Sequence, residues 1–319
     1  MEIKSFLGTA SMALLLAACQ NDESAGNESD ANILLKMQAS VSSVNLARTS
    51  SSAADGHTSF EQGDKIGLFM PEEDASVCWT YADATGWKSE TTLMWPNQRD
   101  KFDFRAYYPY QTTATRVQVP MPDLSVQTGK LENIGQFDFL VAQKTCGFTD
   151  DSGNVSFTGD NAFNHQYSLV LITLLKNSED ATTNLKKADF EGTNAFGKHT
   201  YSFSVPEGMT AVQGSQKDQL SLTLDEVVAD EGGTTLAVLV NPTDTEQTLK
   251  FSIAYNRDGI NYIATTSAIK RAFAPGVCYK YKIRIEKEHL SVVGSDVVDW
   301  VSEEIEDDIV IKDTPDTAE

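Results

Sequence analysis

The amino-acid sequence predicts an all-β protein, and three observations carry the prediction. Short runs alternate apolar and polar residues, as in Phe102-Asp103-Phe104-Arg105-Ala106-Tyr107, the period of a strand with one face buried. Turn chemistry separates the runs, as in Asp150-Asp151-Ser152-Gly153-Asn154 and Asn256-Arg257-Asp258-Gly259. No stretch sustains a helical period. At 319 residues the chain is longer than one core usually organises, so the expectation is two β-sandwich domains in tandem. A hydrophobic content of 40% is enough to fold, and charged residues at 22%, spread through the chain, argue against a disordered protein. The net charge of −21 favours solubility and argues against nucleic acid or an anionic membrane surface as a partner.

Taken in order, residues 1–18 read as a signal peptide. Lys4 precedes the apolar run Met12–Leu16, which is too short for a retained membrane span. The run ends in Leu16-Ala17-Ala18-Cys19, small residues before a cysteine. Residues 19–32 form an acidic, polar tether. The strand that follows organises the rest: Ile33, Leu35, Met37, Ala39 and Val41 share one parity, with mostly polar residues between them. Asn45-Leu46-Ala47-Arg48-Thr49 and a Ser/Ala/Asp/Gly run then predict an exposed loop that a trypsin-like protease could cut after Arg48. Removing residues 33–48 would leave a hydrophobic groove with unpaired edge groups, which another chain could fill.

Further strands are expected at 65–70, 77–81, 93–95 (stopped by Pro96), 102–108 and 137–142, completing an N-terminal sandwich over 33–153. The second sandwich, 154–300, is expected to open with a strand over Tyr167–Leu175, buried in part on both faces. It continues through 201–205, 220–224, 235–240, a hairpin over 249–265 and a strand over 278–285. The tail, 301–319, has eight acidic residues against Lys312, yet Ile305, Ile309 and Ile311 keep one strand parity within it.

Little in the sequence argues for catalysis. It has no metalloprotease, nucleophile-elbow, phosphate-loop or dinucleotide motif and no calcium-loop spacing, so neither an enzyme nor a cofactor is expected. A hydrolase would need two carboxylates about 5–10 Å apart, brought together from distant strands. His57, His165, His199 and His289 are scattered, and His165 at a strand start reads as a hydrogen-bonded structural residue. With Cys19 set aside, Cys78, Cys146 and Cys278 allow at most one bridge, and Cys278, opposite Tyr279, Tyr281, Ile283 and Ile285, is expected to point away from the core. Trp79, Trp87, Trp95 and Trp300 could stack on sugars, the basis of a second reading as a glycan-binding surface lipoprotein.

Several stretches together resemble a known family. They are the cysteine after Ala17-Ala18, the strand ending near Arg48, and Phe60-x-x-Gly63-Asp64-x-Ile66-Gly67-Leu68-Phe69. Trp95-Pro96, Phe104-x-Ala106-Tyr107-Tyr108-Pro109 and Phe163-x-His165-x-Tyr167-Ser168 follow, then Gly276-x-x-Tyr279-x-Tyr281-x-Ile283 and Trp300. In this order they resemble the fimbrillin-like proteins of Bacteroidales, the type V pilins and their tip and anchor relatives. The resemblance implies two transthyretin-like sandwiches and a lipoprotein acylated at Cys19 and held at the outer membrane, exposed at the cell surface or built into a fimbrium. It implies cleavage between Arg48 and Thr49 by an arginine-specific surface protease. Loss of the strand bearing Ile33, Leu35, Met37, Ala39 and Val41 would follow. A donor strand carrying Ile305, Ile309 and Ile311 would then fill the groove of another fimbrial subunit, giving a homo- or hetero-polymer. A surface glycan or protein, of host or bacterium, is the further partner that an adhesive role implies.

Overall fold

The computed structural model describes residues 33–42, 59–177, 180, 182–266, 269–286 and 289–299. Cys19, Arg48, Thr49, His57, Trp300, Ile305, Ile309 and Ile311 lie outside the described residues, as do the expected signal peptide, tether and acidic tail.

The chain is β structure nearly throughout. Its first half holds β1 (Lys36–Ala39), β2 (Lys65–Phe69), β3 (Ser76–Ala82), β4 (Gly86–Ser89), β5 (Lys101–Tyr108), β6 (Val119–Pro120), β7 (Leu140–Gly147), β8 (Asn154–Phe157) and β9 (Asn164–His165). Its second half holds β10 (Ser168–Leu175), β11 (Thr183–Glu191), β12 (His199–Ser202), β13 (Gly208–Ala211), β14 (Gln219–Val227) and β15 (Thr234–Val240). It ends with β16 (Gln247–Arg257), β17 (Ile260–Thr266), β18 (Ile269–Arg271), β19 (Val277–Glu286) and β20 (His289–Asp299). Among the described residues the helical segments are three short 3-10 turns, at Leu124–Val126, Leu131–Gln136 and Gly159–Asn161.

Strands β4-β3-β2-β5-β7-β9 form a six-stranded sheet, antiparallel at each pairing, and β1 lies beside β8 in a two-stranded parallel sheet. The large sheet runs β14-β11-β16-β17-β20-β19-β10-β15, with β18 against β16. A three-stranded sheet, β13-β12-β6, joins one strand of the first half to two of the second. The expected hairpin is present: β16 and β17 pair around Asp258 and Gly259, both at positive φ, where a glycine removes the steric cost.

The middle of the six-stranded sheet is buried on both faces, at Ile66–Phe69 of β2, Ala106–Tyr108 of β5 and Leu140–Ala142 of β7. Ile66, Leu68, Phe104, Ala106, Leu140 and Ala142 face a smaller core shared with β1 and β8. Phe69, Tyr107, Phe139 and Val141 face the other way into the main core, where Phe203 and Tyr201 meet Phe69 and Phe139.

Three findings correct the sequence expectations. β8 and β9, placed by sequence in the second sandwich, pair with β1 and β7 instead, so the pairings of the first half extend past Gly153 to His165. The expected strand over 137–142 starts later, because Phe137 and Asp138 close the 3-10 turn Leu131–Gln136 through bonds to the Ile134 carbonyl. Cys278 does not point outward: it is only 3% exposed, since β19 and its neighbour β10 are covered on both faces at Cys278, Tyr279, Leu169 and Val170.

Candidate functional site

The segment Ile33–Ser42 lies in a groove of the smaller core. At its start the Leu35 N–H donates to the Leu93 carbonyl and the Trp95 N–H to the Ile33 carbonyl, both at 2.9 Å. Lys36–Ala39 then pairs residue for residue with Asn154–Phe157. At its end the Phe163 N–H donates to the Ser40 carbonyl at 2.9 Å and the Ser42 N–H to the Phe163 carbonyl at 2.7 Å. The strand is thus held by Leu93–Trp95 at its start, by β8 along its middle and by Phe163 at its end.

Its side chains follow the period of two. Leu35, Met37 and Val41 are 2%, 5% and 3% exposed, Ile33 and Ala39 are half-buried against the same core, and Lys36 and Gln38 face solvent. Burying three such side chains contributes about 1.5–3 kcal/mol each. The surrounding core is aromatic: Trp95 packs edge-on against Phe104 at 5.4 Å, and Phe157 against Phe163 at 5.7 Å. The indole N–H of Trp95 donates to the Gly153 carbonyl at 3.0 Å, which fixes the ring beside the turn that opens β8.

Val41 bridges to Phe163, and Phe60, just beyond residues 43–58, packs on Phe163 at 5.3 Å and on Trp87 at 4.9 Å. The chain therefore leaves the groove and re-enters the core at the same residue, Phe163. Phe60 is anchored in the body independently of β1, so the body keeps its own hold on the chain at that point.

The remaining candidate residues are structural. His165 and Asp138 form a buried pair, Nδ1 to Oδ2 at 2.7 Å, in which Asp138 also accepts the Phe139 N–H at 2.8 Å. With His165 only 3% exposed, the pair closes the β7–β9 seam and has no face open to substrate. Burial pushes the thiols of Cys78 and Cys146 up to about 11, which leaves neither a nucleophile at neutral pH. Trp79, Trp87 and Trp95 are at most 8% exposed. They build the core around the first strand, which overturns the reading of Trp79 or Trp87 as an exposed sugar platform. Among the described residues no three His, Cys, Asp or Glu side chains stand together as a metal site.

Sequence reasoning missed Gln127. Its side-chain amide is buried and donates to the Leu239 carbonyl at 2.9 Å while accepting the Leu239 N–H at 2.7 Å. It mimics one step of a ladder on the outer edge of β15, closing an edge that would otherwise invite pairing. No local pattern announces it, because its partner lies 112 residues away.

The family model described as fimbrillin-like matches residues 47–300. This chain belongs to the fimbrillin-like family. A candidate fimbrium subunit, Fim1C of Bacteroides uniformis, is 26% identical to this fimbrillin-like chain over 314 residues, covering 90% of it and 91% of the relative. Two crystal structures of candidate cell adhesion proteins share its fold. The one from Bacteroides uniformis has a TM-score of 0.55 at 23% identity, with 85% of this chain and 99% of that one covered. The one from Bacteroides ovatus has a TM-score of 0.55 at 16% identity, with 86% and 99% covered.

Proposed function

We propose that this fimbrillin-like chain is a structural subunit of a cell-surface fimbria with a role in adhesion. In this reading it is exported as a lipoprotein acylated at Cys19 and held at the outer membrane, and an arginine-specific surface protease cuts it between Arg48 and Thr49. Strand 33–48 then leaves, and a donor strand from another subunit takes its place. The family and the fimbrium-subunit relative support a structural rather than a catalytic role.

The observation that carries the reading is the seating of Leu35, Met37 and Val41. Most of what the first strand contributes is a row of apolar side chains and a set of backbone hydrogen bonds, and any strand of the right pattern supplies both. A contact between one subunit's donor and another's groove joins unlike surfaces and need not close, so it builds a filament rather than a ring.

The test is limited cleavage of the lipid-free protein with a trypsin-like protease, followed by intact mass and native sizing. The expected result is a single cut after Arg48, loss of the first strand and growth of ladders. Resistance at Arg48 in a stable monomer would overturn strand exchange and leave a non-polymerising surface lipoprotein.

A further inference from the structure

The β16–β17 hairpin sets two tyrosines opposite each other. Tyr255 and Tyr262 are cross-strand partners, and their rings stack 5.3 Å apart at an interplanar angle of 22°. Tyr255 is 1% exposed, while Tyr262 is half-buried against the main core. Beside the pair lies a cavity of about 510 Å³, within the range of about 300–1,000 Å³ usual for small-ligand sites. The two rings and fully buried Ile285 give it an apolar side, and Asn177, Asp180, Arg257 and Glu286 a polar one. None of these residues belongs to the smaller core around the first strand.

We propose that this cavity binds a neutral saccharide, with one sugar ring lying against Tyr262 and its hydroxyls on Asp180, Glu286 and Asn177. This rests on the adhesive role in the reading above and adds to it a place and a ligand class.

Charge selects the class. The Arg257 guanidinium is already matched: Nε donates to the Thr183 hydroxyl at 2.9 Å, Nη1 lies 3.1 Å from an Asp180 oxygen, and its carbon stands 5.3 Å from the centre of the Tyr255 ring. With Asp180 and Glu286 set against that one cation, the polar side carries a net negative charge and repels an anion. A cationic ligand would have to sit beside the guanidinium, which already lies over one of the two rings. A neutral polyol meets neither penalty. A sugar ring has a C–H face that suits a tyrosine and a rim of hydroxyls that both donate and accept. Carboxylates accept from such hydroxyls, and the Asn177 amide donates to them. The side-chain carbonyl of Asn177 is held by Arg284 Nη1 at 3.2 Å, which sets the direction of that amide.

The site is built before a ligand arrives. Tyr262 is braced by Tyr255, and a tyrosine has few side-chain torsions to freeze. Asp180 is fixed from three sides, by Arg257, by the Asn177 N–H at 3.1 Å and by Lys176 Nζ on its carbonyl at 3.0 Å. Little ordering is left for binding to offset. Ile260, two residues before Tyr262 on the same strand face and 56% exposed, continues the apolar surface beyond the cavity for a second sugar unit.

Saturation-transfer NMR on the uncut, lipid-free full chain tests the site, with methyl glycosides of glucose, galactose, mannose and N-acetylglucosamine as probes and methyl glucuronide as the charged control. Transfer to the C–H protons of at least one neutral glycoside is expected, and none to the glucuronide. Tyr262→Ala should weaken that binding about tenfold or more, as loss of an aromatic anchor does, and Tyr262→Phe should preserve it. Asn177 is exposed, so Asn177→Ala leaves the fold intact and should weaken binding as well, a second check should Tyr262→Ala unfold. No transfer to any neutral glycoside would overturn the proposal. Transfer to the glucuronide alone would overturn the ligand class, and binding undiminished in both alanine variants would overturn the place. Because the protein is uncut, a failure here leaves ladder growth after Arg48 untouched. Saccharide binding without ladders would keep the site and remove only strand exchange.

Discussion

Gly67 sits under the ring of Tyr107, so that a Cβ at that position would lie 2.3 Å from the ring. Tyr107 has little room to yield: it is fully buried, its hydroxyl lies 2.8 Å from that of Ser76, and it donates to the Gln111 carbonyl at 3.0 Å. Gly67→Ala is expected to destabilise the protein by about 1–3 kcal/mol, through overpacking. Urea denaturation would show a lower midpoint at unchanged slope, whereas an unmoved midpoint would mean that the two sheet faces adjust freely. The same scale shows what the sequence hides. Alternation assigns Ile66 and Leu68 to a face because both lie in one run. Gln127, or the Asp138–His165 pair, takes its meaning from a partner far along the chain. A tryptophan reads alike in a core and on a sugar-binding surface, and only the burial of Trp79 and Trp87 decides between them.

Among the elements, the first strand was the most legible, because a period of two states both its face and its core residues. Its neighbours were not. Nothing in Asn154–Phe157 says that it pairs parallel with a strand more than a hundred residues earlier, so a boundary drawn at the turn ending in Gly153 falls just before the strand that lines the groove. Met37→Ala tests how much the strand contributes to the intact molecule. It is expected to cost about 2–5 kcal/mol in the uncut protein, as for other large-to-small changes in a core. The form trimmed after Arg48 should be unaffected, since Met37 has left with the strand. Paired denaturation curves of both forms would check this, and an equal loss in both would place residue 37 in the trimmed body.

For the molecule as a whole, the prediction concerns alkaline pH. Burial pushes Cys78 and Cys146 up to about 11 from an ordinary 9.0, and Tyr107 up to about 12 from 10.0. The unfolded chain releases these protons near the ordinary values while the folded chain still holds them. Their contribution to stability is therefore complete below about pH 9 and is lost as pH rises toward 11–12. Thermal melts should show Tm falling above about pH 9, with Cys146→Ala flattening part of the fall; a Tm constant to pH 11 would contradict the burial of these groups.

The arrangement of β8, β10, β19 and β20 also fixes how a pull would travel. Asp299, at the end of β20, pairs with Val277 at the start of β19, and β19 runs parallel beside β10. From β10 the chain leads back through β9 to β8, the wall beside the first strand. The end of β20 and the start of β10 therefore flank the start of β19 at one end of the sheet. A pull between the end of β20 and the groove bears on that end of both ladders, so Asp299–Val277 and Leu169–Cys278 are loaded before the pairs further along. What resists there is burial: β10 is one of the most thoroughly buried strands of the chain, and Cys278 and Tyr279 beside it are each 3% exposed. The seam that stretching would open first is also one that water does not reach.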